Sequence, residues 1–271
     1  MKQTRIISLV AAVMIAAGMT LVAAEPSANE EELQKLFETA LATGGLEYQK
    51  ARDAILAHDG AADFLEKRAQ DTNLVSRVIG RALQTWVRDG VANMDVSKQV
   101  VEVTVRATRR QIGDRGILGS IYDLKSDPVS RKFAKINTDV HVLLEVALKG
   151  PTLPADTQYH KNIQSLYAIN CYAAGLSGLY DDPDVIPVLT MLTDENEDSL
   201  MKNAALRGLL LRDGVDTAVL IKGVEDKDED YRRISHHHLR DITGKDFGYD
   251  AGKYRAFIET NTVDGVSQSL K

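Results

Sequence analysis

Met201-Lys202-Asn203-Ala204-Ala205-Leu206-Arg207-Gly208-Leu209 is followed, 30 positions on, by Tyr231-Arg232-Arg233-Ile234-Ser235-His236-His237-His238-Leu239, and this pair decides the fold. A large residue and a cation open each stretch. A small residue follows at Ala205 and Ser235, a leucine at Leu209 and Leu239, and a glycine ends each pattern at Gly214 and Gly244. The spacing predicts two amphipathic helices, Ser199 to Leu211 and Tyr231 to Ile242. Each is preceded by a shorter apolar helix, through Val185, Ile186, Val188, Leu189 and Leu192 in one case and Val219, Leu220 and Val224 in the other. Between these first helices the offset is 32, as from Leu189 to Ile221, so the intervening loop has lost two residues. A hairpin of this kind cannot bury both sides of its apolar helices alone, and stacking against a copy solves that problem.

Working outward, the chain reads as helices throughout. Glu30, Glu31 and Glu32 place acid at the positive end of a helix that Ser27 or Asn29 can cap, with Leu33, Leu36, Phe37 and Leu41 on one face and Gly44-Gly45 as its stop. Helices from Leu46 to Ala57 and from Ala61 to Ala69 follow, the latter with Phe64 and Leu65 inward. A stronger one begins at Asp71 or Thr72 and carries Leu74, Val75, Val78, Ile79, Leu83, Trp86 and Val87 as one stripe, closed by Asp89-Gly90. A lone Trp on such a stripe reads as core. Asp95 to Arg110 reads as helix although its valines would permit a strand, and Arg106, Arg109 and Arg110 at its end complement the dipole or receive an anion. Asp127-Pro128 then starts a helix through Phe133, Ile136, Val140, Leu143, Leu144 and Leu148. Pro151 to Asp156 is the internal boundary, and another long helix runs from Ile163 to Leu179 with Cys171 as a small buried hydrophobe.

Composition narrows the class. The 271 residues are 44% apolar and only 6% aromatic, which suits small-residue helix packing. Lys2 and Arg5, the apolar run Ile6 to Val22 and the small residues Val22-Ala23-Ala24 form a secretory signal peptide cleaved near Ala24. Without Lys2 and Arg5, 31 basic residues face 39 acidic ones, a formal charge of -8. No basic stripe is evident, so nucleic acid is not an expected partner. Cys171 is the single cysteine, so no intrachain disulfide can form and stability rests on packing.

At these residues the repeat resembles the HEAT-repeat family. Met201-Lys202 with Ala205, and Tyr231-Arg232 with Ser235, stand where that family places an aliphatic-Arg pair and a small residue. The tail Leu239-Arg240-Asp241-Ile242-Thr243-Gly244-Lys245-Asp246-Phe247-Gly248-Tyr249-Asp250 looks like the segment that closes many bacterial HEAT arrays, with Ala251 in place of the usual proline and Tyr254 and Phe257 where tryptophans are usual. Phe247, Tyr249, Tyr254 and Phe257 are expected to cover the last unit. The resemblance covers about a quarter of the chain; the N-terminal half shares only its helical style. It implies an all-α fold, a right-handed α-α superhelix of stacked helical hairpins. The expected layout is a signal peptide at 1–24, a divergent helical region at 25–150, HEAT-like repeats at 151–250, and a cap and tail at 251–271.

The chemistry-bearing motifs weigh against an enzyme. His236-His237-His238 point about 100° apart on a helix and cannot converge on one metal. His237 with Asp241 supplies two ligands at most, and no His-x-x-x-His or Cys spacing adds the rest. The acidic loops 194–198 and 225–230 lack the glycine and terminal glutamate of a calcium loop. No Gly-x-Ser-x-Gly elbow occurs, and Asp246-Phe247-Gly248 has no kinase companions. The expectation is therefore a non-enzymatic scaffold without a cofactor or metal, periplasmic or secreted, with no stable membrane span after signal cleavage. Its second helices would expose Lys202, Arg207, Arg232, Arg233, His236 and Arg240 to an acidic protein partner. The alternatives are a metal-dependent hydrolase built on His236–His238 and a small-molecule carrier.

Overall fold

The computed structural model describes residues 28–90, 92–98, 100, 139–152, 163–194, 198–212 and 216–262. The proposed signal peptide, Arg106 to Arg110, the Asp127-Pro128 helix start with Phe133 and Ile136, and the middle of the first acidic loop lie outside them. Every regular element among the described residues is a helix: α1 (Ala28–Ala42), α2 (Gly45–Leu56), α3 (Ala61–Arg68), α4 (Leu74–Asp89), α5 (Val140–Lys149), α6 (Ile163–Ser177), α7 (Val185–Asp194), α8 (Ser199–Leu210), α9 (Thr217–Gly223), α10 (Glu229–Thr243) and α11 (Ala251–Thr262). The stretch 93–98 is also helical, and Val96 and Val100 are buried, so their β-branching does not impose a strand here.

The helices pack as neighbours in chain order. Hairpins α3/α4, α7/α8 and α9/α10 form from consecutive helices, α5 lies between α4 and α6, and α6, α8 and α10 stack one on the next. The arrangement is solenoid-like, with α11 set against α9 and α10 at the end. The repeat positions agree in burial: Met201 and Tyr231, Ala205 and Ser235, and Leu209 and Leu239 are all buried. Their helix starts agree as well. Asp198 caps α8 by accepting from the amides of Leu200 and Met201, and Asp228 caps α10 by accepting from Tyr231.

Helix α4 is the wall between two cores. Ile79 and Leu83 join Leu33, Phe37, Ile55 and Phe64 on one side, while Val78 and Ala82 join a core that continues through α5, α6 and the hairpins to Tyr254. Its strong amphipathic stripe is therefore wider than one face. Four expected members fall short of full burial: Leu74, Val75 and Trp86 are half-buried, the last with the Arg52 guanidinium 4.9 Å above its ring, and Val87 is exposed. The helix starts at Leu74, later than Asp71 or Thr72. Asn73 is the cap, and Asp71 accepts from the Asn73 amide at 3.1 Å and the Ser76 hydroxyl at 2.8 Å.

The apolar run expected to continue unbroken into Val140 does not do so. Asp139 has extended backbone at φ -60 and ψ 122, and its carboxylate accepts from the His141 amide at 2.8 Å, so α5 begins afresh there. A buried polar network ties α5 back to the N-terminal helices. The Glu145 carboxylate accepts from the Tyr48 hydroxyl at 2.7 Å and from Asn93 Nδ2 at 3.0 Å, and Arg52 reaches Thr152 Oγ1 at 2.7 Å. Burial pushes the Glu145 carboxyl up despite these donors.

At the far end Tyr254 is wholly buried, with Phe247 against its ring at 5.1 Å and Phe257 behind Phe247 at 5.8 Å. Gly244 and Gly248 turn the chain there at φ 65 and φ 61. Tyr249 stays half exposed, so three of the four expected aromatic residues cover the stack and the fourth leans on its side.

Candidate functional site

The six residues expected on an exposed ridge divide into three pairs. Lys202 and Arg207 are buried, which corrects the expectation that they are presented to a partner. Helix α8 is enclosed by α6, α7 and α10, and almost every position from Met201 to Leu209 is covered. Lys202 Nζ instead holds Asp226 Oδ2 at 2.5 Å and lies 5.6 Å from the Tyr231 ring centre. Arg232 and His236 are half-buried. Arg232 donates to the carbonyls of Asp226 and Lys227 at 2.9 and 3.2 Å. His236 lies between Tyr249 and Tyr254, with Nε2 3.0 Å from Asp246 Oδ1. Arg233 and Arg240 alone are exposed, the first paired with Asp230 at 2.6 Å and the second 3.2 Å from His237 Nδ1.

The three consecutive histidines have three different surroundings. His236 belongs to the aromatic cap, while His237 is exposed with Asp241 3.6 Å away. His238 is half-buried, and burial together with the neighbouring His237 holds its pKa below the usual histidine range. Among the described residues none of them joins a group of three or more ligand-capable side chains; His236 and His237 each meet a single carboxylate.

A different cluster forms where α4, the start of α5 and the turn before α7 meet. Arg77 and Arg81 stand one helical turn apart on α4 and aim the same way. Arg77 donates through Nε and Nη2 to Asp184 Oδ1 at 3.0 and 2.9 Å, and Arg81 Nη1 donates to Asp184 Oδ2 at 2.9 Å. Asp184 is buried, and its amide donates to Asp182 Oδ1 at 2.9 Å. His141, also buried, sits in the middle. Its Nδ1 is 3.0 Å from Asp139 Oδ1, and its Nε2 is 3.3 Å from Asp184 Oδ2, 3.6 Å from Asp182 Oδ1 and 3.2 Å from Arg81 Nη1. Thr85 donates its hydroxyl to Asp139 Oδ2 at 2.5 Å.

Charges tune one another here. Burial alone would raise the Asp184 carboxyl, but the Arg77 and Arg81 guanidinium groups hold it below the usual carboxylate range. Burial likewise opposes charge on His141, yet its bond to Asp139 and the charges of Asp182 and Asp139 outweigh both burial and Arg81, so its pKa is raised. Beside the cluster opens a polar cleft of about 350 Å³, lined by Glu66, Gln70, Arg81, Gln84, Asp139 and His141 among others.

His141, Asp182 and Asp184 each bring a ligand-capable atom within 4.8 Å of the others. The donor set does not fit a metal ion, because cations are already in place. Both Asp184 oxygens accept from guanidinium groups, and Arg81 stands 3.2 Å from the histidine nitrogen that faces the carboxylates. A divalent ion there would repel two arginines at close range. The cluster works as an ion-pair network that holds hairpin α3/α4 to the array.

Reading the sequence alone misses this network. Its parts are legible one by one: the Arg77/Arg81 spacing, the Asp182-Pro183-Asp184 turn and an Asp-x-His before an apolar run. Nothing local says that residues 77 and 184 meet. A comparison with protein-family models, curated protein sequences and solved structures finds no match to this chain, so the resemblance to HEAT repeats rests on its own residues.

Proposed function

We propose that this chain is an exported, non-enzymatic α-solenoid of HEAT type that binds a protein partner. The observation that carries the reading is the equivalence of successive hairpins. Met201 and Tyr231, Ala205 and Ser235, and the caps Asp198 and Asp228 fill the same places 30 residues apart in helices that stack on each other. Arrays of this kind present an extended surface that grips a partner without chemistry, so the functional part of the reading is an analogy at the level of fold. No helix among the described residues is long and apolar enough to cross a membrane.

The partner surface in this reading centres on the exposed face of α10, at Arg233 and Arg240, with the edges of Arg232 and His236 beside them. An acidic segment suits it. The test is affinity capture from the native envelope with the wild-type chain and with Arg233→Ala/Arg240→Ala, identification by mass spectrometry, and titration of the purified partner. A purified partner that loses at least tenfold in affinity to the variant supports the surface. Undiminished binding removes it, and stoichiometric metal with hydrolytic turnover in the untagged protein would replace the scaffold reading altogether.

A further inference from the structure

We propose that His141 is a proton-operated latch between the start of α5 and the turn that opens α7, tighter when the imidazole is protonated. The argument starts from the two faces of the ring. Nδ1 meets one carboxylate, Asp139, while Nε2 meets two carboxylates and a guanidinium at similar distances. With Nδ1 donating to Asp139, a neutral ring offers Nε2 as an acceptor, and Arg81 can donate to it. A protonated ring must donate from Nε2 as well, and the acceptors in reach are Asp184 Oδ2 and Asp182 Oδ1. One proton therefore moves the Nε2 partnership from α4 to the 182–184 turn, and both states have a partner.

The balance of charge favours the protonated state. The groups facing the ring are Asp139 at the start of α5, Asp182 and Asp184 ahead of α7, and Arg81 on α4, with Arg77 bound to the far side of Asp184. Thr85 fixes Asp139, while Glu66 and Arg88 stand further off in the cleft wall. Three carboxylates with two guanidinium groups leave room for one more positive charge. The cleft gives protons a route, since His141 and Asp139 line it, so the ring can titrate without unfolding.

The direction follows from linkage. A histidine whose folded pKa lies above its unfolded value contributes stability that is complete below pH 6.5 and is lost as pH rises through the folded pKa. Asp139 and Asp184, both held below the ordinary carboxylate range, stay ionised throughout that window. The latch therefore loosens as pH rises above 6.5 and through the folded pKa.

The experiment is urea unfolding of the full chain at pH 6 and pH 8.5, with imidazole nitrogen shifts of His141 followed by NMR. The wild type should lose stability across that interval relative to His141→Gln, with the other histidines cancelling in the difference. The unfolding constant should change about tenfold for each unit by which the folded pKa exceeds the unfolded one. His141 should titrate above 6.5. A His141→Gln chain with the wild-type pH slope, or a His141 that titrates at or below 6.5, overturns the proposal. Should His141→Gln fail to fold, Asp139→Asn decides: asparagine keeps the cap of α5 but removes the charge, so His141 must titrate lower than in the wild type, and an unchanged midpoint refutes the latch.

Discussion

Helices α4 and α10 begin in the same way and are put to different uses. In each, an aspartate accepts from the amide two residues on, at Asp71–Asn73 and Asp226–Asp228, and that second residue caps the helix. In each, an arginine one turn in reaches back to two carbonyls: Arg77 to Asp71 and Thr72 at 2.8 and 3.3 Å, Arg232 to Asp226 and Lys227 at 2.9 and 3.2 Å. The difference lies in the rest of the guanidinium. Arg77 goes on to bind buried Asp184 of the neighbouring hairpin, whereas Arg232 lies 5.9 Å from the ring centre of Tyr249 in the terminal cap. One local device starts both helices, and whatever stacks next to each decides whether the contact is ionic or aromatic. Inside the array a charge can be buried because a partner charge meets it; beside α10, among the described residues, aromatic surface from the 247–257 segment covers the stack instead.

The largest test of this contrast compares two aspartates 32 residues apart that stand at the same place before α7 and α9. Asp184 neutralises two arginines, while the Asp216 side chain, among the described residues, accepts only from the Ala218 amide at 2.8 Å. Replacing Asp184 by alanine leaves Arg77 and Arg81 without their shared carboxylate. Since both arginines are partly exposed, a loss near the lower end of the buried-pair range is expected, about 3 kcal/mol. Asp216→Ala should lose only a cap, about 1 kcal/mol. Urea denaturation of both variants reads the difference, and equal losses would mean that the ion pairs at Asp184 hold nothing together.

Close crossing of the two helices sets a second contrast. At α3/α4 the glycine is on the second helix: a Cβ at Gly80 would meet the backbone of Arg68 and Ala69 at 2.7 and 2.8 Å. At α9/α10 it is on the first: a Cβ at Gly223 would meet the Ser235 side chain, including its Cβ at 2.8 Å. Gly80→Ala therefore meets backbone and the fixed Arg68 Cβ, with no flexible side-chain end to displace, and should destabilise by about 2 to 3 kcal/mol through overpacking. Gly223→Ala should cost somewhat less, about 2 kcal/mol, and Ser235→Gly added to it should restore much of the loss because the obstructing atoms are gone. The measurement is a double-mutant cycle at 223 and 235; strict additivity would mean that the two residues do not share one crossing.

How much of this was legible depended on whether a feature was local. Gly90 and Gly244 end α4 and α10 in left-handed conformation, as the stop signals at those glycines indicate. The 30-residue echo located α8 and α10 correctly because apolar period and caps act within one helix. It could not say which cations were exposed: Lys202 and Arg232 are equivalent in sequence, yet α8 is enclosed and α10 is at the end. The kinship of α4 with α10 was hidden for the same reason. Its Arg77 matches Arg232 only once the carbonyls it binds are seen, and its apolar stripe looks different because α4 serves two cores. His141 stands in an apolar run that reads as one continuous helix, and only the turn at Asp139 makes it a meeting point of three segments.

The smallest effect probes the shared device itself. Asn73 Oδ1 accepts from the Ser76 amide at 3.0 Å, and Asp228 Oδ1 accepts from the Tyr231 amide at 2.7 Å. Alanine at either position removes one acceptor from an otherwise unpaired helix N-terminus and should cost about 1 kcal/mol. The global loss should be similar for the two, since the caps have the same geometry. Their local consequences should differ. Helix α4 is pinned further along by Arg77 and Arg81 to Asp184, so its first-turn amides should open only with the whole fold. The ion pair that ties α10 to α8, Lys202 to Asp226, lies ahead of its cap, and beyond that the helix leans on α8 and the aromatic cap, so Asp228→Ala should speed exchange of its first-turn amides more than Asn73→Ala speeds those of α4. Amide hydrogen exchange checks this directly. If the two ends open equally, the buried ion pairs at α4 restrain local motion no better than the aromatic contacts at α10 do.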